Sequence, residues 1–284
     1  MTVNDAPREI TSSWLDAALG SGVRVHDLGR PLFKGMPQSP NHPPYWHTLP
    51  RRHGDMVRAD GGSAAADHIS LGTHVGTHID AFSHVSHDGE LLGGISAEEA
   101  QRGGAMKALG AETIAPMFRR GVLLDVPRAL GLEQCEPGYE ITPDDLHRTV
   151  EQQGVEIRPG DVVLIRSGWG ANFDAGAEVY TGHASGVPGV SEAGAYWLAD
   201  RQVHAAGADT IAFERLLPGQ GHALLPAHRV LLVEKGIHII ETMDLEELGA
   251  AGVHEFLFVL SPLKLVGATG SPVRPLAVVP EAGS

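Results

Sequence analysis

Apolar and polar positions along this chain fall into short blocks. Val162, Val163, Leu164 and Ile165 follow Gly160 and Asp161 as an unbroken apolar run, the pattern of a strand buried on both faces. Residues 120–126 carry Val122, Leu123 and Leu124 at their centre, residues 208–212 carry Ile211 and Ala212, and residues 236–241 are β-branched and close on Glu241. Each is predicted to be a strand. Helix signals lie between them. Thr142 followed by Pro143, Asp144 and Asp145 predicts a helix start with Thr142 as its cap. Residues 191–201 carry Glu192 in the first turn of a second predicted helix, and residues 225–235 are expected to be helical in their middle. Residues 256–265 and 275–280 add strand-like segments. Strands alternating with helices predict an α/β fold, one domain over residues 1–284. In residues 34–50, Pro37, Pro40, Pro43 and Pro44 exclude a helix interior or a central strand. An N-terminal arm over about residues 1–53, with a long ordered loop, is therefore expected.

Charge narrows the partners. Lys plus Arg is 21 against 35 Asp plus Glu, a formal net charge of −14, so nucleic acid and anionic membrane surfaces are disfavoured. The longest apolar runs have strand length and predict no membrane span. Asp5, Arg8 and Glu9 stand where a signal peptide would be apolar. A single cysteine, Cys135, excludes an intrachain disulfide and a cysteine-based zinc site. A cytoplasmic protein acting on a small molecule is expected. Histidine is the unusual component, with 16 copies, and its spacing carries the chemistry.

Residues 73–84 contain His74, His78, Asp80 and His84. Val75, Thr77 and Ile79 are β-branched and predict a strand. On a strand His74, Gly76, His78 and Asp80 share one face, and two imidazoles with a carboxylate suit zinc or manganese. Gly76 would leave a gap for a metal, water or substrate. His84, beyond the strand end, could reach back as an acid/base. A second cluster is His228 and Glu241, the latter a carboxylate on a buried strand that needs a partner. His222 lies in a glycine-bearing loop and is read as a loop residue. Asp209 and Glu214 suit either the orientation of a ligand histidine or strand capping. His47, beside Trp46, is the best of the remaining histidines for substrate contact. No Gly-x-Ser-x-Gly, phosphate loop, His-Glu-x-x-His or Gly-x-Gly-x-x-Gly occurs.

His74-Val-Gly-Thr-His78-Ile-Asp80-Ala-Phe-Ser-His84 resembles the His-x-Gly-Thr-His-x-Asp-x-x-x-His signature of the metal-dependent cyclase family, which includes kynurenine formamidases and isatin hydrolases. The resemblance continues through residues 160–168, 207–210, 228–232, 236–241 and 262–272. It implies a swivelling β/β/α fold and a homodimer or homotetramer. It also implies His74, His78 and Asp80 as ligands of a first divalent ion, zinc or manganese. Asp80, His228 and Glu241 would hold a second ion, with His84 as the catalytic acid/base. Asp80-Ala81-Phe82-Ser83 lacks the proline common in formamidases. The long arm likewise resembles the branch known only as cyclases. The expected reaction is hydrolysis of a small amide, formamide, lactam or lactone by a metal-activated water, with Phe33, Tyr45 and Trp46 as candidate walls for an aromatic substrate. Two alternatives remain at this stage. One is a cyclising or lyase activity through an enolate; the other is a non-catalytic metal- or ligand-binding module.

Overall fold

The computed structural model describes residues 22–280. Its frame is a nine-stranded mixed sheet. Four parallel strands stand at the centre: β5 (Met117–Asp125), β6 (Val162–Arg166), β7 (Ala205–Ala208) and β8 (His238–Glu241). Beyond β5, the antiparallel strands β9 (Glu255–Leu260), β11 (Leu276–Pro280) and β1 (Val23–Asp27) follow in that order. Beyond β8 come β4 (His78–Asp80) and β10 (Gly270–Pro272), both antiparallel to their neighbours. A separate ribbon pairs β2 (Trp46–Arg51) with β3 (Ala66–Ser70).

The apolar runs divide by parity, as a strand buried on both faces requires. Val163 and Ile165 join Leu146, Leu198 and Leu231 in a core between the sheet and its helices. Val162 and Leu164 face the other way, into a cluster with Ile79, Ile240, Phe256, Phe258 and Ala277. Those last residues come from strands on both sides of the parallel centre, so the sheet curls round its own second core. Helix α1 (Pro143–Gln153) begins with a complete capping box: Thr142 accepts from the Asp145 amide and the Asp145 carboxylate accepts from the Thr142 amide. Helix α2 (Glu192–Asp200) is capped by Ser191, whose hydroxyl accepts from the Gly194 amide at 2.9 Å. The 225–235 segment is helical in two parts, Pro226–His228 and a π-helical turn Arg229–Lys235.

Several boundaries differ from the sequence expectation. The strand expected through 73–80 is confined to His78–Asp80. Gly76 has φ +71°, outside the extended region, and the Thr77 hydroxyl donates to the Thr242 carbonyl at 2.6 Å instead of standing on a pleat. The strand expected at 208–212 stops at Ala208. There the buried Asp209 carboxylate accepts from the Ser167 and Gly168 amides and the Ser167 hydroxyl, turning the chain away from the sheet. The strand expected at 256–265 ends at Leu260, ahead of Pro262.

The N-terminal arm is also divided. Residues 1–21 lie outside the described residues. Val23–Asp27, within the expected arm, pairs with Leu276–Pro280 in the main sheet. The loop after it packs Leu28 and Met36 into the core, and the β2/β3 ribbon is exposed. The proline-rich stretch is loop up to Tyr45 and strand from Trp46. Among the described residues no helix is long and apolar enough to cross a membrane.

Candidate metal centre

β4 and β8 lie side by side with Glu241 opposite His78 in register. On β4, His78 and Asp80 are two residues apart and share a face. His74 arrives by a different route from the one its spacing suggested. It precedes the turn at Gly76, and the turn folds it back beside Asp80. Gly76 itself does not open toward a ligand: a Cβ there would lie 2.4 Å from Leu32 Cδ2 and 3.2 Å from Met36 Cε. The glycine is needed for the positive φ and for packing, which corrects the expected gap.

His74, His78 and Asp80 nonetheless converge, each with a ligand atom within 4.8 Å of the others. Two further groups meet the same criterion: Asp80, His84 and His228, and Glu214, His228 and Glu241. His74, His78, Asp80, Glu214, His228 and Glu241 are all buried. Each of three imidazoles has one nitrogen engaged away from the centre. His78 Nδ1 is 2.8 Å from the Gly76 carbonyl oxygen, so it carries the proton and leaves the Nε2 lone pair free. His228 Nδ1 is 2.5 Å from Glu214 Oε2, again freeing Nε2. His74 Nε2 is 2.9 Å from Thr269 Oγ1, while its Nδ1 faces Asp80 Oδ1 at 2.7 Å.

The freed nitrogens meet carboxylates. His78 Nε2 lies 3.6 Å from Asp80 Oδ1 and 3.4 Å from Glu241 Oε2. His228 Nε2 lies 3.5 Å from Asp80 Oδ2 and 3.2 Å from Glu241 Oε1. Glu241 Oε1 also accepts from the Phe213 amide at 2.8 Å. Asp80 Oδ2 is buried and has no hydrogen-bond partner among the described residues. Two buried carboxylates, Asp80 and Glu241, packed against imidazole lone pairs require positive charge between them. Without an ion, protons must supply it. Burial opposes charge on His78 and His228, but the adjacent carboxylates outweigh it and hold both imidazoles above their ordinary pKa. Burial raises Asp80 and Glu241, and the neighbouring imidazoles overcome it and hold both carboxyls low. A cation of N/O preference fits the donor set and would replace those protons.

His84 closes the other side. It lies past β4 in a turn, where its amide donates to the Ala81 carbonyl at 2.9 Å. Its ring stacks on His74 with centroids 3.8 Å apart and is 6.1 Å from His228. Burial pushes its pKa down to about 3 against the pull of Asp80, so the imidazole is neutral at neutral pH.

Of the two acids considered for orienting a histidine, Glu214 does so and Asp209 does not. Glu214 also accepts from the Ala227 and His228 amides at 3.0 and 3.2 Å. Asp209 pins the 167–170 loop instead. His47 binds Asp67 on the exposed ribbon, at 3.0 Å. His42, passed over in the sequence, stacks on His74 at 5.2 Å, and burial with the charges of His74, His78 and His222 lowers its pKa to about 4. His238 was also missed: its Nδ1 is 2.9 Å from the Asp80 carbonyl oxygen and its ring stacks on Phe82 at 4.0 Å. Phe33 is exposed and meets Phe173 edge-on at 6.4 Å. Trp46 is exposed on the ribbon with Lys34 Nζ 4.5 Å from its ring centroid, and Tyr45 packs against the apolar cluster of Met36, Val75 and Phe173.

Comparison with known proteins bears on this geometry. The model of a family described as Putative cyclase matches residues 26–215. The chain is 26% identical over 227 residues to the isatin hydrolase of Roseibium aggregatum, covering 79% of this chain and 78% of that protein. It is 25% identical over 248 residues to the kynurenine formamidase of Geobacillus thermodenitrificans, covering 87% and 94% respectively. Among solved structures, one described as a novel cyclase aligns with a TM-score of 0.82 and 28% identity over 95% of this chain and 93% of that one.

Proposed function

The chain belongs to the cyclase family, and on that footing we propose that it is a metal-dependent hydrolase of a small amide, formamide, lactam or lactone, acting at the buried His/Asp/Glu centre. The observation that carries this reading is Asp80 Oδ2, buried without a hydrogen-bond partner where three imidazoles converge with one nitrogen each held away. Both named enzyme relatives, an isatin hydrolase and a kynurenine formamidase, take their names from amide substrates, one a lactam and one a formamide.

In this reading His74, His78 and Asp80 hold one divalent ion, zinc or manganese. His228 and Glu241, sharing Asp80, hold a second ion or tune the first. A divalent ion in this position supplies Lewis acidity, acidifying water and polarising a carbonyl oxygen. His84, kept neutral by burial, takes the proton from the attacking water on its free imidazole nitrogen and returns it to the leaving nitrogen or oxygen. Phe33 and Trp46 contact an aromatic substrate. The enzyme is cytoplasmic and works as a homodimer or homotetramer.

The test is a panel of isatin, an N-formylated aromatic amine and a simple lactone. Each is offered to chelator-treated protein before and after zinc or manganese is restored. The expected result is hydrolysis of at least one substrate, abolished by the chelator and recovered with metal. No turnover of any class by protein shown to hold metal would overturn the reading.

A further inference from the structure

We propose that Thr269 is a positioning residue that presents Nδ1 of His74 to the metal, and that Gly270 is the space in which His74 does so. The inference rests on the proposed metal site. His78 is fixed by β4 and its carbonyl contact, and His228 by a buried carboxylate. His74 stands outside the strand, before the turn at Gly76, so pleating does not set its ring. Its ring stacks on His84 and His42 and its Nδ1 faces Asp80; its Nε2 is held by a remote segment of the chain. Thr269 Oγ1 meets His74 Nε2 at 2.9 Å across a sequence separation of 195. The same residue's carbonyl accepts from the Ala81 amide at 2.9 Å, locking Thr269 to the end of β4 beside Asp80.

Gly270 is opposite Asp80 in the β4–β10 register. Its φ is not in the left-handed region, so conformational freedom is not why a glycine is there. Space is: a Cβ would fall 2.6 Å from His74 Cε1, 3.0 Å from His74 Nε2 and 2.9 Å from the Ile79 carbonyl oxygen. The ring of His74 occupies the volume of the missing side chain.

A hydroxyl suits this position chemically. A neutral imidazole has one N–H, and an ion takes the lone pair of the other nitrogen. With Nδ1 on the ion, the proton must reside on Nε2, and Thr269 Oγ1 accepts it. With no ion, Nδ1–H can donate to Asp80 Oδ1 at the observed 2.7 Å, and the same hydroxyl rotates to donate to Nε2. A methyl group in its place satisfies neither state.

Metal affinity separates this role from mere packing. Thr269→Val keeps the shape, Thr269→Ser keeps the hydroxyl, and each is titrated with zinc against a chromophoric chelator. Thr269→Val should bind zinc roughly 10–100-fold more weakly than wild type, Thr269→Ser within a few-fold, and Gly270→Ala should weaken binding like Thr269→Val. Long-range proton–nitrogen NMR of zinc-loaded wild type should show the His74 proton on Nε2. A folded Thr269→Val with wild-type affinity overturns the proposal. So does a His74 proton on Nδ1 in the zinc-loaded wild type, which tests it even where a variant fails to fold. In either case the proposed hydrolase stands. Wild-type protein that binds no zinc or manganese overturns the functional reading and this inference with it.

Discussion

Replacing Glu214 by Gln changes one buried charge and nothing of the shape, and its consequences can be worked from three contacts. Glu214 Oε2 takes the proton of His228 Nδ1, and Oε1 takes the Ala227 and His228 amides. A glutamine has one acceptor end. If its oxygen stays on the two amides, its NH2 faces His228 Nδ1, which must then accept. The imidazole proton moves to Nε2 and points at Asp80 and Glu241, where an ion would sit. If the side chain flips, two buried amides lose their acceptor, at about 1–3 kcal/mol each. The first arrangement costs less, so the variant should fold and lose affinity instead. Loss of such a supporting carboxylate weakens metal binding roughly 10–100-fold, or about 1.4–2.7 kcal/mol. The assay is competition with a chromophoric chelator, with melting curves to confirm folding. Glu214→Gln that binds every ion with wild-type affinity and retains full turnover would refute the orientation argument.

Other outcomes follow from the same geometry. His84→Ala should leave metal content near wild type and lower turnover by roughly 10²–10⁴; equal loss of metal in His84→Ala and His78→Ala would make His84 a ligand. Melting of the metal-free protein should depend on pH in a defined direction. His78 and His228, held above their ordinary value, stabilise the fold fully below about pH 6.5 and lose that contribution as pH rises through their folded values. Asp80 and Glu241, held low, contribute above about pH 4.5 and lose it as pH falls through theirs. Burial pushes His42 down to about 4 and His84 and His204 down to about 3, and these oppose the trend below about pH 6.5, where only their unfolded forms take up a proton. Above about pH 7 that opposition is gone, so the metal-free melting temperature should fall from neutral toward alkaline pH, and bound metal should remove the fall; a metal-free profile that rises over that range would contradict the assignment.

Much of the frame was legible because it depends on local pattern. Residues 162–165 are apolar without a break and become the buried length of a strand that ends on Arg166. Thr142 with Asp145 makes the capping box that its spacing announced. His78 and Asp80 share a face because they are two residues apart on a strand. His74 reaches the same place by a turn, so there the spacing led to the right neighbourhood through the wrong local geometry. Gly76 was misread because a same-parity glycine in a strand and a positive-φ glycine in a turn look alike in sequence. The supporting contacts were less accessible. Thr269 and Gly270 meet His74 only because β10 lies antiparallel to β4, a pairing of remote segments that no local pattern encodes. His42 was obscured by a proline-rich loop whose path over His74 depends on packing against Met36 and Val75. Glu214 could be suspected as an acid after a strand, but its partner was fixed only by the turn at Asp209.

Anomalous diffraction from crystals of the wild-type protein grown with zinc or manganese, collected at the metal's absorption edge, locates any bound ion among these side chains. A peak is expected within bonding distance of His74 Nδ1, His78 Nε2 and Asp80. Any second peak should lie between Asp80, His228 and Glu241. A density map with no anomalous peak among these residues, or with the metal bound elsewhere while the cluster stays closed by protons, would contradict the proposed metal centre.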